Sequence, residues 1–85
     1  MKMLELYTHE GCFTRQEAAE FIQKVLKNFP EVHFQEIDML KEPEKASQNG
    51  IRISPTLVYN GHIVSVGIPS EEKLRNVLKA KEEVA

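Results

Sequence analysis

Residues 3–15 read Met3-Leu4-Glu5-Leu6-Tyr7, then Thr8-His9-Glu10-Gly11, then Cys12-Phe13-Thr14-Arg15. Four of the first five positions are apolar and one is charged, as in an interior strand covered on both faces. A polar tetrapeptide follows, and then the period changes. Ala18, Ile22, Val25 and Phe29 recur at helical spacing, with Phe21 and Leu26 widening the stripe, so a helix is expected from Phe13 to Asn28. Glu20 and Lys24 form an i, i+4 pair on its wet side. Asn28-Phe29-Pro30 stops it, because proline cannot continue a helix. The chain's single cysteine, Cys12, therefore lies where a strand hands over to a helix.

Working outward, Val32–Asp38 reads as a second strand whose imperfect alternation suits a sheet edge. Pro43 fits the first turn of a short helix ending at Asn49-Gly50, with only Ala46 clearly facing inward. Thr56–Tyr59 and His62–Val66 flank Asn60-Gly61, a strong hairpin signal because a type I′ turn needs positive φ twice. Ser70 caps a last helix with Glu71 and Glu72 in its first turn and Leu74, Val77 and Leu78 on its buried face. The charged run Lys79–Glu83 is read as the end of that helix. The expected order is β-α-β-α-β-β-α, an α/β fold with a four-stranded mixed sheet flanked by helices. Its first βαβ unit should be parallel and right-handed.

The 85 residues are read as one domain, 1–85, with a modest core. A net charge of −2 with interspersed signs argues against a nucleic-acid partner. No apolar run is long enough for a membrane partner, and Glu5 interrupts any leader-like stretch. One cysteine cannot close an internal disulfide, so the expected setting is reducing and cytoplasmic. His9 with Cys12 is too few ligands for zinc, and His33 and His62 lie in strands with no nearby cysteine, so no metal is expected.

The element order, the cysteine after strand one and Ser54-Pro55-Thr56 before the hairpin resemble the thioredoxin-like superfamily, and within it the small glutaredoxin-like proteins. Tyr7-Thr8-His9-Glu10-Gly11-Cys12 is similar to the glutaredoxin run of tyrosine, threonine, two variable residues, glycine and nucleophilic cysteine. Ser54–Gly61 is similar to the cis-proline segment and its hairpin. The second cysteine of the family pattern falls at Arg15, and its proline after the nucleophile at Phe13. The glycine pair and aspartate that grip glutathione are replaced by Ser65-Val66-Gly67-Ile68-Pro69-Ser70. Dithiol reduction within one chain is thereby excluded.

The resemblance implies a monothiol thiol-disulfide oxidoreductase working by mixed-disulfide exchange through Cys12. Its partner is a disulfide-containing protein or a glutathione mixed disulfide. No cofactor is expected, with glutathione a candidate co-substrate. A free thiol has a pKa of about 8.5, and a helix N-terminus or a cation lowers it. Arg15, one turn on, is assigned the role of stabilising the thiolate. His9, Gly11, Phe13, Ser54 and Pro55 are assigned to substrate binding, the last two through a cis bond that exposes the Ser54 backbone to an extended peptide. Two readings compete with this: a buried, inert thiol, since free cysteines are often buried, and a redox-inactive protein- or peptide-binding module on the same fold.

Overall fold

The structure is a computed structural model that describes residues 2–80. Its elements are β1 (Lys2–Thr8), α1 (Arg15–Leu26), β2 (Val32–Asp38), α2 (Pro43–Gln48), β3 (Thr56–Tyr59), β4 (His62–Val66) and α3 (Glu71–Lys79). They form one four-stranded sheet in the order β2-β1-β3-β4. β1 pairs parallel to β2 and antiparallel to β3, and β3 pairs antiparallel to β4. The order and the mixed sheet are those expected from the sequence. No helix among the described residues is long and apolar enough to cross a membrane. The charged run beyond Ala80 lies outside the described residues.

Side-chain alternation splits the core in two. Leu4 and Leu6 of β1 and Leu57 and Tyr59 of β3 point to one face, where they meet Ala18, Ile22 and Val25 of α1 and Leu74 and Leu78 of α3. Tyr7, Ile37 and Val58 point to the other face and pack against Ala46 of α2 and Ile51. The short α2 is also pinned by polar contacts. Lys45 Nζ lies 3.5 Å from Glu5, and Asn49 Nδ2 donates to the Tyr7 hydroxyl at 3.2 Å. Burial and the adjacent Glu5 carboxylate push the Tyr7 phenol up to about 12, so it stays protonated.

The main departure from the expected elements concerns α1. It starts at Arg15 rather than Phe13, because residues 9–14 are drawn into turns: Cys12 N–H donates to His9 O at 3.1 Å and Arg15 N–H to Cys12 O at 3.2 Å. It ends at Leu26, where the chain tightens into i→i+3 bonds through Asn28 and Phe29 ahead of Pro30.

The hairpin does more than join two strands. Asn60 and Gly61 take φ of +50° and +86°, as the turn chemistry requires. The Asn60 side chain then accepts the Met3 N–H at 2.9 Å, and its own N–H donates to Met3 O at 2.9 Å, tying the turn to β1. Asn60→Ala removes the side-chain acceptor and the tolerance for left-handed backbone. A loss of about 1–2 kcal/mol is expected, read as a lower urea midpoint at unchanged slope.

Candidate functional site

The end of β1, the loop before α1 and the segment entering β3 converge on Cys12. Thr8 closes β1 and is 2% exposed, and its carbonyl accepts the Met39 N–H at 2.7 Å. The Ser54 hydroxyl donates to Thr8 Oγ1 at 3.2 Å, bringing the loop before β3 against the end of β1. The Ser54–Pro55 peptide bond is cis. Pro55 O accepts the Gly67 N–H at 2.6 Å, which fastens this loop to the end of β4. The Ser54 backbone N–H and C=O make no hydrogen bond among the described residues.

Cys12 is partly exposed, so the inert, sealed thiol does not describe it. Its Sγ lies 3.5 Å from Thr14 Oγ1. Thr14 occupies the N-cap position of α1, yet its side chain makes no capping bond. The hydroxyl that would cap the helix is turned to the sulfur instead. Burial pushes the thiol up, but hydrogen bonds from the Ser54 hydroxyl, the Thr14 hydroxyl and N–H, and the Thr8 hydroxyl outweigh it. The net result is a pKa lowered from 9.0 to about 7. About half of the sulfur is then thiolate at neutral pH.

The source of that lowering corrects one expectation. Arg15, assigned to the thiolate from the sequence, places its Nε 3.5 Å from the Glu36 carboxylate of β2. The sulfur's hydrogen-bond contact among the described residues is with the Thr14 hydroxyl, and hydroxyls rather than the guanidinium favour its ionised form, together with the Thr14 N–H. The cause is the late start of α1: Cys12 stands ahead of the helix, not in its first turn.

The other predicted residues divide. The Ser54 hydroxyl favours the Cys12 thiolate, and Pro55 follows it across the cis bond. His9 Nδ1 accepts the Gly11 N–H at 3.1 Å, so in its neutral form the proton sits on Nε2 and the ring serves its own loop. Gly11 does not occupy the left-handed region, and a Cβ there would meet the His9 ring at an ordinary 3.4 Å, so glycine is not required by space or by φ. Phe13 points wholly into solvent at 104% exposure, which rules out a core role for it. Tyr7 is completely buried on the α2 face. Thr8 and Thr14 were missed from the sequence. A threonine ending a buried strand beside a thiol, and another where a helix cap belongs, are the signals that could have found them.

A lone thiol ahead of the first helix, opposite a cis-proline loop on a four-stranded mixed sheet, defines a protein of the thioredoxin-like superfamily. The family model described as "Thioredoxin domain" matches residues 3–79, and the chain belongs to that family. It is 30% identical over 79 residues to a thioredoxin of Methanocaldococcus jannaschii, covering 92% of this chain and 93% of that one. Among solved structures it is similar to Fasciola hepatica thioredoxin, with a TM-score of 0.74 and 25% identity over 91% of this chain and 77% of that one. Thioredoxin 1 of Thermosipho africanus shares the fold at a TM-score of 0.70 and 16% identity, covering 91% of this chain and 94% of that one.

Proposed function

We propose that this thioredoxin-family protein is a thiol-disulfide oxidoreductase that works by a monothiol route through Cys12. The observation that carries the reading is a partly exposed thiol, lowered to about 7, beside a Ser54 backbone with no partner among the described residues. The thioredoxin-named relatives support the same class of chemistry.

The Cys12 thiolate attacks one sulfur of a disulfide R–S–S–R′. The Cys12–S–S–R bond forms as the S–S bond breaks, and R′–S⁻ leaves with the electron pair and takes a proton from water. Arg15 cannot resolve this intermediate, so a second thiolate must come from another molecule. It attacks the R sulfur, a new disulfide forms, and Cys12 leaves as thiolate. The same hydroxyls that favour the attacking thiolate favour it as leaving group. An extended substrate segment pairs with the Ser54 N–H and C=O, as in strand addition. The disulfide belongs to a protein or to a glutathione mixed disulfide, and the resolving thiol is a protein or glutathione thiol of a reducing, cytoplasmic setting.

The rate of Cys12 alkylation by iodoacetamide is expected to be half-maximal at about pH 7, falling tenfold per pH unit well below that midpoint. Intact mass after incubation with oxidised glutathione, and separately with a disulfide peptide, should show a Cys12 adduct. An adduct with the peptide alone favours protein disulfides, and one with both favours the glutaredoxin-like route. No adduct with either reagent overturns the reading.

A further inference from the structure

We infer that the His9 imidazole is a pH-sensitive clasp on the loop that carries Cys12: neutral, it holds the loop through the Gly11 N–H, and protonated it lets go. The bond runs from the Gly11 N–H to Nδ1 at 3.1 Å, and the ring lies against Gly11, where an added Cβ would meet Nδ1 and Cε1 at 3.4 Å. The same residue holds the cysteine by its backbone, since His9 O accepts the Cys12 N–H at 3.1 Å. His9 thus closes the turn that leads to the thiol with both its ring and its carbonyl. An imidazole accepts a hydrogen bond only on an unprotonated nitrogen. The imidazolium carries a proton on each nitrogen and is a donor at both, so Nδ1 cannot keep the Gly11 N–H once the ring is charged. Histidine is the side chain that changes charge between about pH 5 and 8, so the clasp opens within the range in which the thiol itself ionises.

The Gly11 N–H has no other acceptor among the described residues, and Gly11 is exposed, so water takes the released donor and the loop, not the core, bears the change. The charged groups at this end of the sheet come from several elements. Glu10 follows His9 in the loop and is exposed. Arg15 at the start of α1 is paired with Glu36 of β2. The Asp38 carboxylate at the end of β2 accepts the Leu40 and Lys41 N–H groups at 2.9 and 3.2 Å. Arg52 is exposed in the loop before β3, and Cys12 itself is the remaining group. These charges set where the His9 midpoint falls, whereas the loss of the acceptor follows from the second proton alone. A disulfide peptide has to fit between this loop and the Ser54 backbone, and a small alkylating reagent does not. Opening the clasp therefore slows exchange more than alkylation.

The inference rests on the exchange reading only in taking disulfide exchange at Cys12 as the process affected. NMR of the wild type tests the clasp without any disulfide. Over about pH 5 to 8 the ring should show the Nε2–H tautomer on the alkaline side, and the Gly11 amide proton should titrate with the ring. Its excursion should be at least about twice that of Glu10, whose N–H makes no hydrogen bond among the described residues but feels the same charge. His9→Asn keeps an acceptor for the N–H two residues on and cannot titrate, so its Gly11 amide should stay fixed. The second readout is the rate of mixed-disulfide formation with an end-blocked, histidine-free disulfide peptide, divided by the iodoacetamide rate at the same pH. That ratio cancels the thiolate fraction. It should fall at least about twofold in the wild type as His9 charges and stay level in His9→Asn. Circular dichroism checks the fold, and His9→Ser, whose hydroxyl makes the same local turn, replaces the asparagine variant if that one does not fold. A Gly11 amide that moves no more than that of Glu10, or a ring protonated on Nδ1 when neutral, overturns the inference. So does a ratio that stays level in the wild type or falls equally in His9→Asn. A wild type that forms no mixed disulfide overturns the exchange reading and leaves the amide titration to decide the clasp.

Discussion

Cys12→Ser is expected to abolish mixed-disulfide formation outright. A serine hydroxyl is essentially un-ionised at neutral pH, whereas about half of Cys12 is thiolate there, and oxygen cannot enter a disulfide. The expected loss exceeds about a thousandfold, the detection limit of a trapping experiment read by intact mass. Stability should barely move, because the site is partly exposed and serine can keep the contact with Thr14. The variant also separates the two functional readings. A partner that still binds Cys12→Ser with unchanged affinity marks the binding module, and one captured only by the wild type marks the exchange chemistry. Phe13, fully exposed beside the thiol, is the feature that keeps a binding role in view. Arg15→Cys is the converse experiment. Residues 12 and 15 are joined by one turn, through the Arg15 N–H bond to Cys12 O, so a thiol at 15 comes within reach of the sulfur at 12. It should attack a mixed disulfide there, release the bound thiol and leave an internal disulfide, with a mass two hydrogens below the reduced chain. Persistence of the mixed disulfide in that variant would show that the loop holds the two positions apart.

Leu74→Ala is expected to have the largest effect on stability. Leu74 is fully buried and lies between α3 and the face of the sheet that carries Leu4, Leu6 and Leu57. Truncation loses the transfer free energy of the removed carbons and leaves a cavity, together about 2–5 kcal/mol. A domain has about 5–15 kcal/mol in all, and one of 85 residues belongs near the lower end. The nine residues of α3 cannot hold a helix by themselves, so the element depends on this contact. A urea titration should show a midpoint lowered by a third or more, at about the same slope. Phe13→Ala is the matched control: its ring has no core contact to lose, so its midpoint should coincide with the wild type. A Leu74→Ala midpoint equal to the control would mean that α3 contributes little to the cooperative unit.

Both sets of effects trace to different kinds of information in the chain. Local rules were enough for β2, β3, β4 and α3. Asn60-Gly61 needs positive φ and so marks the turn, and Ser70 caps α3 by accepting the Lys73 N–H at 3.1 Å. The alternation along β1 is legible for the same reason: neighbouring side chains on a strand must face opposite ways. What local rules placed wrongly is the start of α1. Propensity and period carry the helix back to Phe13, whereas the turn bonds among His9, Cys12 and Arg15 hold the chain out of it until Thr14.

That small difference decides the site. By itself the amino-acid sequence determined the order of elements, the mixed sheet and the presence of one thiol at the junction of β1 and α1, because periodicity, proline and glycine act over a few residues. Only the tertiary structure decided which distant groups join Thr14 around the sulfur. Thr8 and Ser54 are 46 residues apart in the chain, and their hydroxyls meet only because β1 and β3 are neighbours in the sheet. Arg15 is three positions from Cys12 and turns to Glu36 because β2 lies beside β1. Closeness in sequence suggested a guanidinium, whereas the hydroxyls come from the local Thr14 and, through sheet pairing, from Thr8 and Ser54. Hydrogen bonding is short-ranged and directional, so the thiol responds to the neighbour whose hydroxyl is turned to it, Thr14, and to groups the fold brings near, rather than to the nearest cation in the chain.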